Sequence, residues 1–121
     1  MRAQTPDASG KVTIAAGDAW LALLDDGHYE ESWRAASSQF RVAITQAKWA
    51  DAPHSARDPL GKELTRRVSN AKMIKHLPGA PDGQYAVLTY ETRFEHKASA
   101  VETLTLACDA ADWRAAGYFI R

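Results

Sequence analysis

Y-A-V-L-T-Y-E-T-R-F-E-H-K-A-S-A-V-E-T-L-T-L-A-C (residues 85–108) is the stretch that decides the fold. Apolar and polar side chains alternate with period two on both sides of the break E-H-K-A-S (95–99), which is the pattern of a half-buried antiparallel strand pair. A slip of one residue would exchange the two faces of each strand, so the alternation constrains the register. Pairing Leu88 with Leu106, Tyr90 with Leu104, Thr92 with Glu102 and Phe94 with Ala100 gathers the large apolar groups on one face. Thr89, Glu91, Arg93, Thr103 and Thr105 then occupy the other.

Outward from this pair the same texture begins after Gly61 and is interrupted again at L-P-G-A-P-D-G (77–83) and D-A-A-D (109–112), which predicts four strands in a meander. For the first strand, pairing Ile74 with Leu88 and Val68 with Phe94 sets Asn70 opposite Thr92. A polar row of Asn70, Thr92 and Glu102 would then cross an apolar face. In the last strand Ala116, Tyr118 and Ile120 are preferred over Trp113, Gly117 and Phe119 as the residues turned toward the helices. Cys108 is expected on the apolar face.

Before Gly61 the period changes to that of helices. Between Thr13 and Asp26, Ala16, Ala19, Trp20, Leu23 and Leu24 recur at three and four residues, and Gly27 stands where a left-handed cap belongs. A second, two-turn helix carries Tyr29, Trp33 and Ala36, with Glu30 and Glu31 in its first turn, where negative charge suits the helix dipole. Ser37 or Ser38 caps a third helix bearing Phe40, Ala43, Ile44 and Ala47. That helix is expected to end before Pro53, leaving Asp51–Gly61 as a long loop. Residues 1–12 are expected as a disordered tail, whose polar text also suits a start just after a removed export signal, and residues 13–121 as a single domain. Three helices followed by four strands imply an α+β fold, with the helices on one face of an antiparallel sheet.

Composition narrows the function. Fifteen Lys+Arg balance fifteen Asp+Glu, so no global field steers polyanions, and nucleic acid is not an expected partner. No apolar run approaches the ~20 residues that span a bilayer. Leu, Ile, Val and Phe supply only 21 residues, so the Trp and Tyr side chains must furnish much of the core bulk. Trp20, Trp33 and Trp49 are expected as anchors between helices and sheet. The seven glycines stand apart from one another and the four histidines lie in separate elements, so neither a nucleotide cofactor nor a metal is implied. A single cysteine excludes an internal disulfide.

The sharpest chemical candidate is Glu102. A carboxylate flanked by Tyr90, Leu104 and Phe94 beneath a helical cover would lose water, which favours its protonated form and suits proton transfer. The competing reading makes it the acceptor of a structural network with Thr92, Asn70 or Arg66. Asn70, Tyr90, Thr92 and Arg66 are the expected ligand-binding residues around it. The basic text of 62–75 faces an acidic text at 82–112, and Arg66 with Glu95 and Lys72 with Glu91 are the expected cross-strand pairs. Asp25 and Asp26 lack the ligand spacing of a calcium loop and read as solvated.

Taken together, A-W-L-A-L-L-D-D-G-H-Y-E-E-S-W (19–33), Phe40, Trp49, R-D-P-L-G (57–61), Arg66, L-P-G-A-P-D-G-Q-Y (77–85), Thr92, Glu102 and W-R-A-A-G-Y-F-I (113–120) resemble the bacterial domain-of-unknown-function family 4019, from about Ala15 to Arg121. The resemblance implies a cone similar to nuclear transport factor 2, in which a curved sheet wraps around helices and leaves an open pocket. It also implies an exported, periplasmic or secreted protein able to pair as a homodimer through the outer sheet face. It implies no activity. The resulting expectation is a non-enzymatic module that binds a small molecule or a protein partner; the alternative is a small acid/base enzyme, of isomerase or hydratase type, using Glu102.

Overall fold

The computed structural model describes the backbone of residues 6–121 and, from Gly10 on, their side chains. Four helices precede four strands: α1 Pro6–Asp25, α2 Tyr29–Arg34, α3 Ser38–Ala43, α4 Gln46–Arg57, a 3-10 turn Asp58–Leu60, then β1 Glu63–Ile74, β2 Tyr85–Phe94, β3 Lys97–Asp109 and β4 Asp112–Ile120. The strands form one open antiparallel sheet in the order β1-β2-β3-β4. No helix among the described residues is long and apolar enough to cross a membrane.

Helix α1 starts at Pro6, earlier than the Thr13 expected from periodicity, so part of the expected tail is helical. Its residues 1–5 lie outside the described residues. At the other end, Gly27 takes φ +78° while its N–H bonds to Leu24 and that of His28 to Leu23, which closes the helix as a Schellman cap. Ser37 caps α3 by accepting from the Phe40 N–H. The expected third helix is in fact two. Ile44 is extended and ends α3, and the Thr45 hydroxyl accepts from the Lys48 N–H to start α4.

Helix α4 also runs through Pro53, so most of the expected loop at 51–61 is helical. Proline removes one backbone donor from a helix. Here that loss is offset because Trp49, Pro53 and Arg57, each four residues apart, form a single buried stripe. The indole N–H groups bind the helical layer together. Trp20 donates to the Ser32 carbonyl at 2.9 Å, Trp49 to the Ser32 hydroxyl at 2.8 Å and Trp33 to the Ile44 carbonyl at 2.7 Å.

The sheet keeps the predicted faces in β2 and β3 but not the predicted partners. Leu88 pairs with Leu104, Tyr90 with Glu102 and Thr92 with Ala100. Each lies two residues from expectation, and an even slip leaves the faces unchanged. Leu88, Tyr90, Phe94, Leu104 and Leu106 are accordingly buried under the helices, each stabilising the fold by about 1.5–3 kcal/mol. In β1 the register shifts between Val68 and Asn70. Ahead of that bulge Arg66 pairs with Thr92 and Val68 with Tyr90; beyond it Asn70 pairs with Thr89 and is exposed.

A second shift, between Thr105 and Leu106, divides β4 between the two registers weighed from its sequence. Ala115 is buried and Trp113 packs on the core before it, and Tyr118 does so after it. Cys108 is exposed, because Ala107 takes the buried place beside Leu106. Helix α1 comes close to the sheet at Gly17, where a Cβ would lie 2.6 Å from the Tyr90 hydroxyl and 2.7 Å from Leu88 Cδ1.

Candidate functional site

The polar group predicted to cross the apolar face exists, with Arg66 in the place expected for Asn70. Glu102 is fully buried on β3. Its Oε1 accepts from Arg66 Nε at 2.8 Å and from the Thr92 hydroxyl at 2.5 Å; Oε2 accepts from the Tyr118 hydroxyl at 2.5 Å and from Arg66 Nη2 at 3.3 Å. The two shortest contacts are those of hydroxyls donating to an ionised oxygen. With both oxygens taken twice, the acceptor capacity of the carboxylate is filled.

The cluster continues into the helices. Asp25, on the last turn of α1, accepts from Arg66 Nη1 at 2.8 Å, from Arg66 Nη2 at 2.9 Å and from Arg57 Nη2 at 2.6 Å. Arg57, at the end of α4, lies with Nη1 4.0 Å from Glu102 Oε2 and with its guanidinium over the Phe94 ring, 4.9 Å from the centroid. Two acids and two guanidinium groups thus join α1, α4, β1 and β3, and the hydroxyls of Thr92 and Tyr118 tie in β2 and β4. Burial works to raise the Asp25 carboxyl, but the hydrogen bonds from Arg66 and Arg57 outweigh it and hold it below the usual carboxylate range. Tyr118 is pushed well above the ordinary phenol value, first by burial and then by the Glu102 charge beside it.

Sequence reasoning found Glu102, Thr92 and Arg66 and missed Asp25, Arg57 and Tyr118 as their partners. The pairing of Arg66 with Glu95 does not form; Glu95 instead accepts from the Lys62 N–H. Lys72 pairs in register with Val87, and it is Arg67 that meets Glu91, at 2.5 Å. Both differences follow from the β1 register. The signal that could have exposed Arg57 was the four-residue spacing Trp49, Pro53, Arg57.

Tyr90 stands opposite Glu102 in the sheet but makes no hydrogen bond to this cluster. It is 1% exposed, and its hydroxyl is buried with no hydrogen-bond partner among the described residues. Burial pushes its phenol up, with the Asp18 charge adding to the effect. Tyr90 lines a hollow of about 240 Å³ between α1 and β1, together with Ile14, Asp18, Arg66 and Val68. Asp18 stands exposed at its rim, where partial burial raises its carboxyl from the ordinary value against the opposing charge of Arg66.

Three other hollows differ in kind. One of about 560 Å³ is walled by alanines with Trp20, Leu23 and Trp113; one of about 190 Å³ lies between α4 and the end of β4; one of about 520 Å³ includes Arg67, Glu91, Arg93 and Ser99. Glu102 lines none of the four hollows, and Asn70 lies outside them as well.

A family model described as "Protein of unknown function (DUF4019)" matches residues 16–118. No curated protein matches the chain.

Proposed function

Because the chain belongs to the DUF4019 family of proteins of unknown function, we propose its role from the site alone: a non-enzymatic module that takes a small ligand into the hollow between α1 and β1. The observation that carries this reading is the Tyr90 hydroxyl, buried without a partner among residues that line the hollow. An unmade hydrogen bond of this kind costs about 1–3 kcal/mol, so a ligand that completes it gains affinity from a loss the free protein already bears. The hydroxyl is shielded, and a ligand engages it once side chains at the mouth give way, the partly exposed Ile14 among them.

Proton transfer by Glu102 has less to support it. Its lone pairs are occupied by Arg66, Thr92 and Tyr118, and it lines none of the four hollows itself, although Arg66 and Thr92 both line the one that includes Arg67 and Glu91. Those contacts suit the network reading, in which the carboxylate fixes the helices onto the sheet. Helices covering one face of a four-stranded meander also support the proposed likeness to the cone of nuclear transport factor 2.

The test is a fragment screen by methyl and aromatic NMR on the full chain. Hits are expected to shift the Ile14 and Val68 methyls and the Tyr90 ring together, and Tyr90→Phe is expected to weaken them while leaving the protein folded. Hits confined to other hollows, or affinities unchanged in Tyr90→Phe, would overturn the assignment.

A further inference from the structure

Deepening that reading and resting on it, we propose that the ligand is a small organic cation, a primary ammonium on a short aliphatic stem, held between the Asp18 carboxylate and the Tyr90 hydroxyl. The argument begins with which charges around the hollow are already spent. Every nitrogen of the Arg66 side chain donates to Asp25 or Glu102, and Arg57 is tied to Asp25. These two cations and two anions neutralise one another. Asp18, which also lines the hollow, forms no ion pair among the described residues. The charge left at the rim is therefore negative.

An ammonium answers the Asp18 charge and the acceptor side of the Tyr90 hydroxyl. It donates to the Asp18 carboxylate as a charge-assisted hydrogen bond and to a lone pair of the Tyr90 hydroxyl, which otherwise has no partner. Ile14 and Val68 supply apolar walls for the stem. A carboxylate or phosphate would meet Asp18 with like charge and find the Arg66 donors engaged. A neutral alcohol could satisfy Tyr90 but would leave Asp18 without a counter-charge. The volume of about 240 Å³ suits a group of a few heavy atoms. The raised carboxyl of Asp18, which reports lost hydration that Arg66 offsets only in part, agrees with this assignment.

The experiment titrates the full chain with butylammonium, butanol and butyrate while following the Ile14 and Val68 methyls. Butylammonium is expected to bind at least about tenfold tighter than butanol, and butyrate to be weakest, because a hydrogen bond to a charged group exceeds a neutral one by that order. Asp18→Asn should bring butylammonium down to the level of butanol without lowering the thermal transition. Should butanol or butyrate equal the ammonium, the cation is wrong and the pocket stands. If none of the three moves these methyls, pocket and cation fall together. An Nα-acetyl-lysine N-methylamide that binds tenfold tighter than butylammonium would reassign the site to a lysyl side chain and overturn the small-molecule source.

Discussion

Tyr118 and Tyr90 both point their hydroxyls into the interior between helices and sheet, and both phenols are pushed above their ordinary value by burial. They differ in what the hydroxyl meets. That of Tyr118 donates to Glu102 and belongs to a cluster in which the acids and the guanidinium groups of Arg57 and Arg66 balance; that of Tyr90 lies beside Gly17 of α1 and makes no hydrogen bond among the described residues. The contrast teaches where to look for function in a chain without a catalytic signature. A network whose carboxylates are saturated holds architecture, even with Arg57 Nε and Nη1 buried without a partner among the described residues, whereas an unmet hydroxyl beside a hollow has unused capacity to bind.

The largest test of the comparison is removal of the filled side. Glu102→Ala takes away the acceptor shared by Arg66, Thr92 and Tyr118 and leaves Arg66 and Arg57 with only Asp25. Breaking a buried pair from one side costs about 3–5 kcal/mol, because the remaining charges stay buried without compensation. Urea unfolding should show that loss. A change under about 1 kcal/mol would mean that the cluster does not hold the helices on the sheet.

Acid should erode the same side first. Asp25 is held below the usual carboxylate range, so its contribution is fully present above about pH 4 and is lost as pH falls through the lower folded value. Asp18 has the opposite sign: its carboxyl is raised, so protonation on the way down favours the folded state. Stability measured against pH should therefore fall less steeply below about pH 4 in Asp25→Asn than in the parent protein, since the group that titrates is gone. An identical acid limb in the two proteins would place the acid sensitivity elsewhere.

What could be read in the sequence follows the range of the interactions involved. Period-two alternation placed β2 and β3 with the correct faces, and even their two-residue slip did not disturb which side Glu102 and Tyr90 take. Helix α1 and its Gly27 cap were equally local. Asn70 failed because a single extra residue near Ser69 reverses the faces beyond it, and no local pattern marks that bulge. Helix α4 failed because Pro53 reads as a stop while its compensation, burial of the Trp49, Pro53 and Arg57 stripe, is tertiary. Asp25 was read as solvated beside Asp26 for the same reason. Only the meeting of a helix end with a strand guanidinium distinguishes the two neighbours.

The finest test applies one substitution to both regions. Tyr118→Phe removes a hydrogen bond to a buried carboxylate and should cost about 2 kcal/mol, the order measured for bonds to charged groups. Tyr90→Phe removes a hydroxyl that has no partner among the described residues, so no bond is lost and the burial of an unmet donor is relieved. Its effect should be between zero and about 1 kcal/mol, in the stabilising direction. Loss of oxygen from an aromatic ring thus acts with opposite sign at two buried sites of one fold, and the difference in urea midpoint between the two variants measures it without reference to any ligand. Destabilisation of Tyr90→Phe comparable to that of Tyr118→Phe would reveal a partner for the Tyr90 hydroxyl in solution. The two regions would then be alike, and the unfilled hydroxyl could no longer mark the ligand site.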